Sequence, residues 1–404
     1  MTDSLINSAT APTGSPSRIL ASISFAHLVS HFHMLVLPPL FPFLKQQLHV
    51  NYIDLGFALT AFGIVSAVTQ APVGMLVDRY GARTILVAGL IVGSLSFIIL
   101  GMTLNYPGLI ACGLISGLAN SVYHPANYSI LTDKMDPGRM GHAFSVHTFA
   151  GYLGGASAPA TIYFVAATAG ITSALFVAGA VGLLGAALIA VTEMTKDRDT
   201  PVASKPAASN ALGSVVTPAL LVLTAFFTLL ALSTGGVSSF GVAALVIGYG
   251  VSASSANMAL TIFLAASTIG VLFGGRLADR TSRHGEVAAI AFSANAMSML
   301  LIAMLPLSTA PIIFLLCLAG FLGGVVAPSR DMKVRKAAPS GAMGRVFGLV
   351  STGFNIGGII GPLLYGWIMD QALPRWVFGV SAVFMVITVV LVLATELKLN
   401  RQVR

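Results

Sequence analysis

The feature that most constrains this chain is a series of long apolar stretches separated by short polar breaks. Each stretch lasts about twenty residues, the length that an α-helix needs to cross the hydrocarbon core of a bilayer. Outer-membrane β-strands instead give alternating segments of about ten residues, so the pattern indicates helices. We predict twelve spans, at residues 19–43, 52–77, 84–104, 107–131, 141–166, 171–192, 215–242, 252–277, 286–306, 310–332, 344–368 and 375–396.

The low share of charged residues supports the same conclusion. The 404 residues are 56% hydrophobic and only 8% charged, whereas soluble domains carry roughly 25% charged residues. A water-soluble fold of this length could not cover its surface with so few charges. Cys112 and Cys317 both lie inside apolar stretches, so we expect them to pack against neighbours and to form no disulfide. The sequence therefore predicts an all-α integral membrane protein.

Polar segments divide the chain into parts. Residues 1–18 are polar and small and lack a basic start, so we expect a disordered cytoplasmic tail and not a cleaved signal. The longest internal polar stretch, 193–214, holds mixed charges and two prolines, which is typical of a linker. We therefore predict an N-terminal six-helix bundle at 19–192 and a C-terminal six-helix bundle at 215–404.

The lysines and arginines set the predicted orientation. If the N-terminus is cytoplasmic and the spans alternate, all but two of the 21 Lys and Arg residues fall on the cytoplasmic side; the exceptions are Lys45 and Arg375. Cytoplasmic loops of membrane proteins carry such an excess. The net charge of +8 then faces anionic membrane lipid, and we expect no nucleic-acid partner. We predict a multi-pass protein of the inner (plasma) membrane with both termini in the cytoplasm.

The two predicted bundles are sequence repeats. Segment 138–159 matches segment 341–362 at an offset of 203, with Phe144 opposite Phe347 and Pro159 opposite Pro362. A second element, G-x-x-x-D-R, occurs between spans 2 and 3 and again between spans 8 and 9, where it holds Gly275, Asp279 and Arg280. Parallel repeats of six helices are a transporter architecture. A receptor or a membrane enzyme has no evident need for them.

The first copy of that element is a basic turn made by Gly74, Asp78, Arg79, Gly81 and Arg83. Gly74 would allow close helix approach, and Gly81 would allow a tight turn. Asp78 can accept hydrogen bonds from exposed N–H groups at a neighbouring helix start. We expect Arg79 and Arg83 to stay at the level of the lipid headgroups. A plain basic turn on the cytoplasmic side is the alternative interpretation.

Two six-helix halves, a long central polar stretch and G-x-x-x-D-R-x-G between spans 2 and 3 resemble the major facilitator superfamily over all twelve spans. The resemblance implies that the basic turn is a gate that is made in one conformation and broken in the other. It also implies that spans 1, 4, 7 and 10 line a central cavity. Within the superfamily, FAHLVSH (25–31) and SVYHPAN (121–127) are similar to the fosmidomycin-resistance-like group.

Polar side chains within the spans are the candidate substrate and proton pathway. They are His27 and His31 in span 1, Asn120, His124 and Asn127 in span 4, and His147 in span 5. Spacings of three and four residues place those within one span on one helix face. At ~1.5 Å per residue, His27, His124 and His147 lie at similar depths. Such groups usually face a cavity or a partner; a polar seam between packed helices is the alternative.

Arg330 in span 10 is the candidate cation of the C-terminal bundle. At the repeat offset it matches Asn127, so it would share the cavity face near the inner end. A guanidinium suits carboxylate and phosphate groups, which it binds with two parallel hydrogen bonds. The functional interpretation is a contact with an anionic substrate. A basic cytoplasmic helix end is the alternative.

Carboxylates are absent from the middle of the predicted spans, because all 13 Asp and Glu residues fall in loops, tails or span ends. If transport is coupled to protons, histidine is the remaining titratable candidate, since its ordinary pKa is near 6.5. The alternative is that each histidine makes local hydrogen bonds and never titrates.

Together these observations predict a secondary active transporter that moves a small organic solute, with an anion as a candidate, by alternating access and with protons as the driving ion. A drug or antibiotic efflux pump of the fosmidomycin-resistance type is the alternative. The chain has no G-x-x-x-x-G-K-[ST] run for ATP. It also shows no nucleophile or metal constellation, so we expect no enzyme activity, no cofactor and no metal. We expect a monomer.

Overall fold

The computed structural model describes residues 15–192, 217–281, 283–337 and 343–403. The predicted linker at 193–214 lies outside these residues. Residues 16–18, which we assigned to the tail, belong to the first helix, which begins at Pro16. Proline suits the first helical position because its missing N–H would have no partner there.

The described residues form thirteen α-helices and no β-strand. The helices are α1 (Pro16–Met34), α2 (Phe41–Leu48), α3 (Tyr52–Tyr80), α4 (Ala82–Thr103), α5 (Tyr106–Lys134), α6 (Met140–Ala169), α7 (Ile171–Val191), α8 (Pro218–Tyr249), α9 (Ala253–Arg280), α10 (His284–Met304), α11 (Thr309–Ala337), α12 (Met343–Asp370) and α13 (Trp376–Val403).

The first predicted span is broken into α1 and α2. A short 3-10 turn at Pro38–Leu40 separates the two helices, and Pro42 follows in the first turn of α2. Each proline removes a backbone N–H donor, so a continuous α-helix cannot run through this segment. With α1 and α2 counted as one span, the thirteen helices correspond to the twelve predicted spans.

Ten segments of the described chain are long and apolar enough to cross a membrane. The two helices outside that set are α5 and α6, although they have 29 and 30 residues. These helices carry candidate polar residues, including His124 and His147. Each is packed within the bundle, α5 against α3 and α4, and α6 against α1 and α9. Their neighbours therefore shield polar side chains that would be unfavourable in contact with lipid.

The two halves share one hydrophobic core at one end of the molecule. Phe41 and Tyr52 of the N-terminal half lie in the same cluster of buried side chains as Phe240 and Tyr365 of the C-terminal half. The Phe41 and Phe240 rings are 5.2 Å apart. We call this end, where α3 begins and α12 ends, the capped end.

At the opposite end each half keeps its own core. One cluster is made only of residues between 19 and 189, and the other only of residues between 220 and 392. We call this end, where α3 ends and α4 begins, the open end. Along the length of the molecule, α3 packs against α12 and α6 packs against α9. The halves thus meet through two helix pairs and a shared core at one end only.

Candidate functional site

Four imidazole rings meet between α1, α5 and α6. The His27 ring is stacked on the His147 ring, with centroids 4.0 Å apart and planes at 7°. The rings of His31 and His124 lie edge-on to His27, with centroids at 4.7 Å and 5.7 Å. We call these four residues the histidine cluster. Helical spacing brings His27 and His31 together, whereas the other two rings come from separate helices.

A glycine on α6 makes room for the cluster. A β-carbon at Gly151 would lie 2.6 Å from Cε1 of His27 and 3.1 Å from Cδ2 of His31. Both distances are too short for ordinary van der Waals contact, so only glycine lets α1 and its two imidazoles pack this close to α6.

Gly151→Ala is expected to displace the His27 and His31 rings and to lower stability by about 1–3 kcal/mol, the usual cost of overpacking a core. The matched control is Gly155→Ala on the same helix, where the added β-carbon would meet only Cδ1 of Leu35, at 3.5 Å. Thermal unfolding of the purified variants in detergent measures the difference. Equal melting temperatures for the two variants would contradict this account of the packing.

Hydrogen bonding fixes the tautomer of neutral His27. Its Nδ1 lies 2.7 Å from the main-chain oxygen of His147. A carbonyl oxygen only accepts hydrogen bonds, so Nδ1 carries the hydrogen and Nε2 carries the lone pair. Nε2 is buried and has no hydrogen-bond partner among the described residues. The ring therefore presents one free basic nitrogen inside the protein.

Other buried polar atoms of α1, α5, α6 and α11 also lack a partner in the described part of the chain. They are Oγ of Ser24, the hydroxyl of Tyr123, Nδ1 of His124, both side-chain polar atoms of Asn127, both ring nitrogens of His147 and Oγ of Ser329. A buried polar group without a partner costs about 1–3 kcal/mol, so a group of them suggests a place where polar chemistry occurs. The described His, Cys, Asp and Glu side chains nonetheless form no group of three that could hold a metal ion.

The two candidate asparagines of α5 have different surroundings. The Asn120 amide nitrogen donates to Oγ of Ser66 on α3, at 2.9 Å. Asn120 therefore forms a polar contact between two packed helices. Asn127 lies two turns further along α5, is fully buried and has both polar atoms unpartnered among the described residues.

Arg330 of α11 lies at the junction of the two halves. Its Nε donates to Oδ1 of Asp331 at 2.8 Å, and its side chain is only 14% exposed. The guanidinium carbon lies 4.9 Å from the Phe227 ring centre and 5.3 Å from that of Phe354. Tyr152, on α6 of the other half, lies in the electrostatic neighbourhood of this charge. The positive group is thus held between aromatic faces close to the junction of the two halves.

The sequence analysis did not predict the aromatic residues around Arg330. Phe227 and Phe354 sit on α8 and α12, and Tyr152 sits on α6. Each of them lies on a different helix from Arg330, so no helical spacing rule joins them to it. The neighbouring acid at 331 was the one visible signal, since a buried arginine needs a counter-charge.

The basic turn lies at the open end. Asp78 and Arg79 are exposed, and Asp78 makes no hydrogen bond or ion pair with the described residues. A β-carbon at Gly74 or at Gly275 would meet nothing within 4 Å, so neither glycine has a close neighbour in this conformation. Gly81 ends α3 with a φ of 86°, a backbone conformation that glycine adopts without strain.

Arg83, which we expected at the level of the lipid headgroups, bonds to the end of a neighbouring helix. Its Nε donates to the Ile189 oxygen at 3.3 Å, and Nη2 donates to the Ala190 oxygen at 2.5 Å. These carbonyls belong to the last turn of α7, where helical partners are missing. Arg83 therefore ties the start of α4 to the end of α7.

The second copy of the element lies at the end of α9. Arg280 is the last residue of that helix and is exposed. Asp279 precedes it, but its side chain lies outside the described part of the structure.

Comparisons with known proteins support one family. The sequence profile of the Major Facilitator Superfamily matches residues 23–245 and 226–402. The chain is 24% identical over 272 residues to the uncharacterized MFS-type transporter YfnC of Bacillus subtilis. It is 22% identical over 272 residues to the fosmidomycin resistance protein of Escherichia coli. Each alignment covers 66% of this chain and 66% of the relative.

The fold is also similar to that of a solved transporter homologue. A bacterial homologue of the human lysosomal transporter Spinster, solved in an inward-facing and occupied conformation, superposes with a TM-score of 0.76 at 16% identity. The match covers 94% of this chain and 96% of that one. Profile, relatives and fold agree, and the profile alone spans nearly the whole chain. This chain therefore belongs to the Major Facilitator Superfamily.

Proposed function

We propose that this protein is a monomeric secondary transporter of the inner membrane that moves a small organic anion by alternating access and is driven by protons. The observation that carries the proposal is the histidine cluster. It combines stacked imidazoles, a free basic nitrogen on His27 and further unpartnered ring nitrogens on His124 and His147 among the described residues.

The arrangement of the halves supports alternating access. They share a core at the capped end and keep separate cores at the open end. The basic turn with Arg79 lies at the open end, and an excess of positive charge marks cytoplasmic segments. The conformation described here is then open to the cytoplasm, and transport requires a second form in which the capped end opens instead.

The histidine cluster supports proton coupling, and its geometry favours the binding of one proton at a time. A proton can bind at Nε2 of His27, which already has its other nitrogen committed. The stacked His147 ring is 4.0 Å away. Two positive charges at this distance repel by about 4 kcal/mol at an effective dielectric constant of 20. Protonation of one ring therefore opposes protonation of the next, and the cluster carries one proton at a time.

Arg330 supports an anionic substrate. Its bond to Asp331 uses one N–H of a guanidinium that has five. The remaining donors can bind a carboxylate, sulfonate or phosphonate with the short, directional bonds typical of this side chain. One relative is a fosmidomycin resistance protein. Export of a drug of that kind is the second candidate function, with the same site and the opposite direction of flux.

Flux measurements on proteoliposomes test the proposal. We expect that fosmidomycin or one class among small carboxylates, sulfonates and phosphonates moves protons with it, detected by a trapped pH indicator. A protonophore should abolish accumulation of that anion. Movement of neutral sugars or organic cations in place of anions, or flux that ignores the pH gradient, would refute the proposal. Resistance of an overexpressing strain to fosmidomycin would favour export, and growth on the transported anion would favour uptake.

A further inference from the structure

We infer that Asp370 is a gate residue that holds the capped end closed by joining the two halves through its carboxylate. The inference rests on the alternating access proposed above. It assigns a role to a residue that lies far from the histidine cluster and from the basic turn.

The geometry of the contact is specific. Asp370 is the last residue of α12, in the C-terminal half. Its Oδ1 accepts from the Tyr52 N–H at 2.9 Å, and its Oδ2 accepts from the Ile53 N–H at 2.8 Å. These two N–H groups open α3, in the N-terminal half, where no helical carbonyl is available to them. The positive end of the α3 dipole favours the carboxylate as well.

One more charge faces the carboxylate. Nζ of Lys45 lies 4.0 Å from Oδ1 of Asp370 and 4.7 Å from the centre of the Tyr52 ring. Lys45 belongs to α2 of the N-terminal half. The other acid near the start of α3, Asp54, accepts from the Asn51 N–H at 2.9 Å and so bonds within its own half.

Close packing holds the two helices together at this point. A β-carbon at Gly366, one turn before Asp370, would lie 2.7 Å from the Tyr52 oxygen. Tyr52 in turn packs edge-on to Phe240 in the shared core, with ring centres 6.3 Å apart. Separation of α3 from α12 here must therefore break both carboxylate bonds together and expose that core.

The two ends of α3 differ in their contacts with the C-terminal half. At the capped end its first N–H groups are bonded to Asp370. At the open end Asp78, near its last turn, is exposed and has no partner among the described residues. The form that is open at one end is thus the form in which the Asp370 contact is made at the other. When the capped end opens, the first N–H groups of α3 must pass to water.

Pulsed electron spin resonance tests this gate without any substrate. Spin labels at Gln47 on α2 and Ser254 on α9, both exposed, report the width of the capped end in a variant without Cys112 and Cys317. We expect one narrow distance distribution with Asp370 present. Asp370→Asn keeps one acceptor oxygen but adds an N–H₂ group facing an N–H donor, so a second, longer distance should gain at least about fivefold in population.

The matched control is Asp54→Asn, which removes an acid at the same end but leaves the contact between halves intact. Asp370→Glu, which retains the carboxylate, should restore most of the narrow distribution. Equal distributions for Asp370→Asn and Asp54→Asn in folded protein would overturn the assignment. The experiment measures a distance and needs no substrate. A failure to transport any tested anion would therefore refute the proposed function without affecting the test of the Asp370 gate.

Discussion

His27→Asn is expected to abolish proton-driven accumulation while exchange of substrate across the membrane continues. Asparagine can still donate to the His147 oxygen that now holds the ring at 2.7 Å, but it binds no proton at physiological pH. We expect the pH-gradient-dependent rate to fall about 10- to 100-fold, the usual range of coupling between two ligands on one protein. Counterflow in proteoliposomes without a pH gradient should stay within about threefold of the unaltered protein, because that exchange does not depend on the coupling.

The sign of the pH dependence follows from the cation that forms. A histidine is a cation when it holds the extra proton and neutral when it has lost it, so proton-driven uptake by the unaltered protein should rise as the outside pH falls. The His27→Asn variant should give a flat profile. His142→Asn is the control, since His142 is exposed on the same α6 helix as His147 but lies outside the cluster. A sloping profile in His27→Asn would show that another group carries the proton.

Arg330→Ala is expected to weaken substrate binding about 30- to 100-fold, measured as KM for the transported anion, since loss of a buried charge partner costs about 2–3 kcal/mol. Arg330→Lys keeps the charge but loses the planar pair of donors, so we expect a smaller rise in KM. Full affinity in the lysine variant would argue against bidentate binding. Full affinity in the alanine variant would remove Arg330 from the site.

Two controls separate binding from folding in this experiment. Arg330→Ala removes the bond of 2.8 Å to the half-exposed Asp331 carboxylate and the contacts of the guanidinium with the Phe227 and Phe354 rings, so thermal stability is measured alongside KM. The double variant Arg330→Ala with Asp331→Ala, which leaves no unpaired carboxylate, should still show the raised KM. Arg276→Ala serves as the matched arginine, because Arg276 is exposed on α9 and, among the described residues, bonds only to the Leu272 oxygen of its own helix. A change of KM in that control would point to a general charge effect.

Part of the histidine cluster is predictable from the sequence, because helical geometry determines which residues share a face and a depth. A spacing of four residues puts His27 and His31 on one face, and counting residues from the span ends puts His124 and His147 at a similar depth. The ring stacking and the bond from His27 to a carbonyl 120 positions away depend on how α1 packs against α6. That packing depends on Gly151, whose role becomes visible only when the two helices are placed together.

Other parts were beyond sequence reasoning for a similar reason. Asn120 lies on the predicted polar face, but its partner Ser66 is on a different helix, and helical spacing cannot distinguish a seam from a cavity. The sequence does not show that Arg83 bonds to carbonyls at the end of α7, because those residues lie more than a hundred positions away. In the sequence, Asp370 looks like any other acid at the end of a span. What distinguishes it is its contact with the start of α3, 318 positions away along the chain.

The anchor of His27 has a consequence for how this site can change during evolution. The group that holds its Nδ1 is a main-chain oxygen, which every amino acid supplies. Position 147 can therefore exchange its side chain, and with it the chemical character of the stacked neighbour, without releasing His27 from its orientation. Substitutions at position 147 would change the basicity of His27 while its proton-binding atom stays in place. We therefore expect the sequences of close relatives to vary more at position 147 than at position 27.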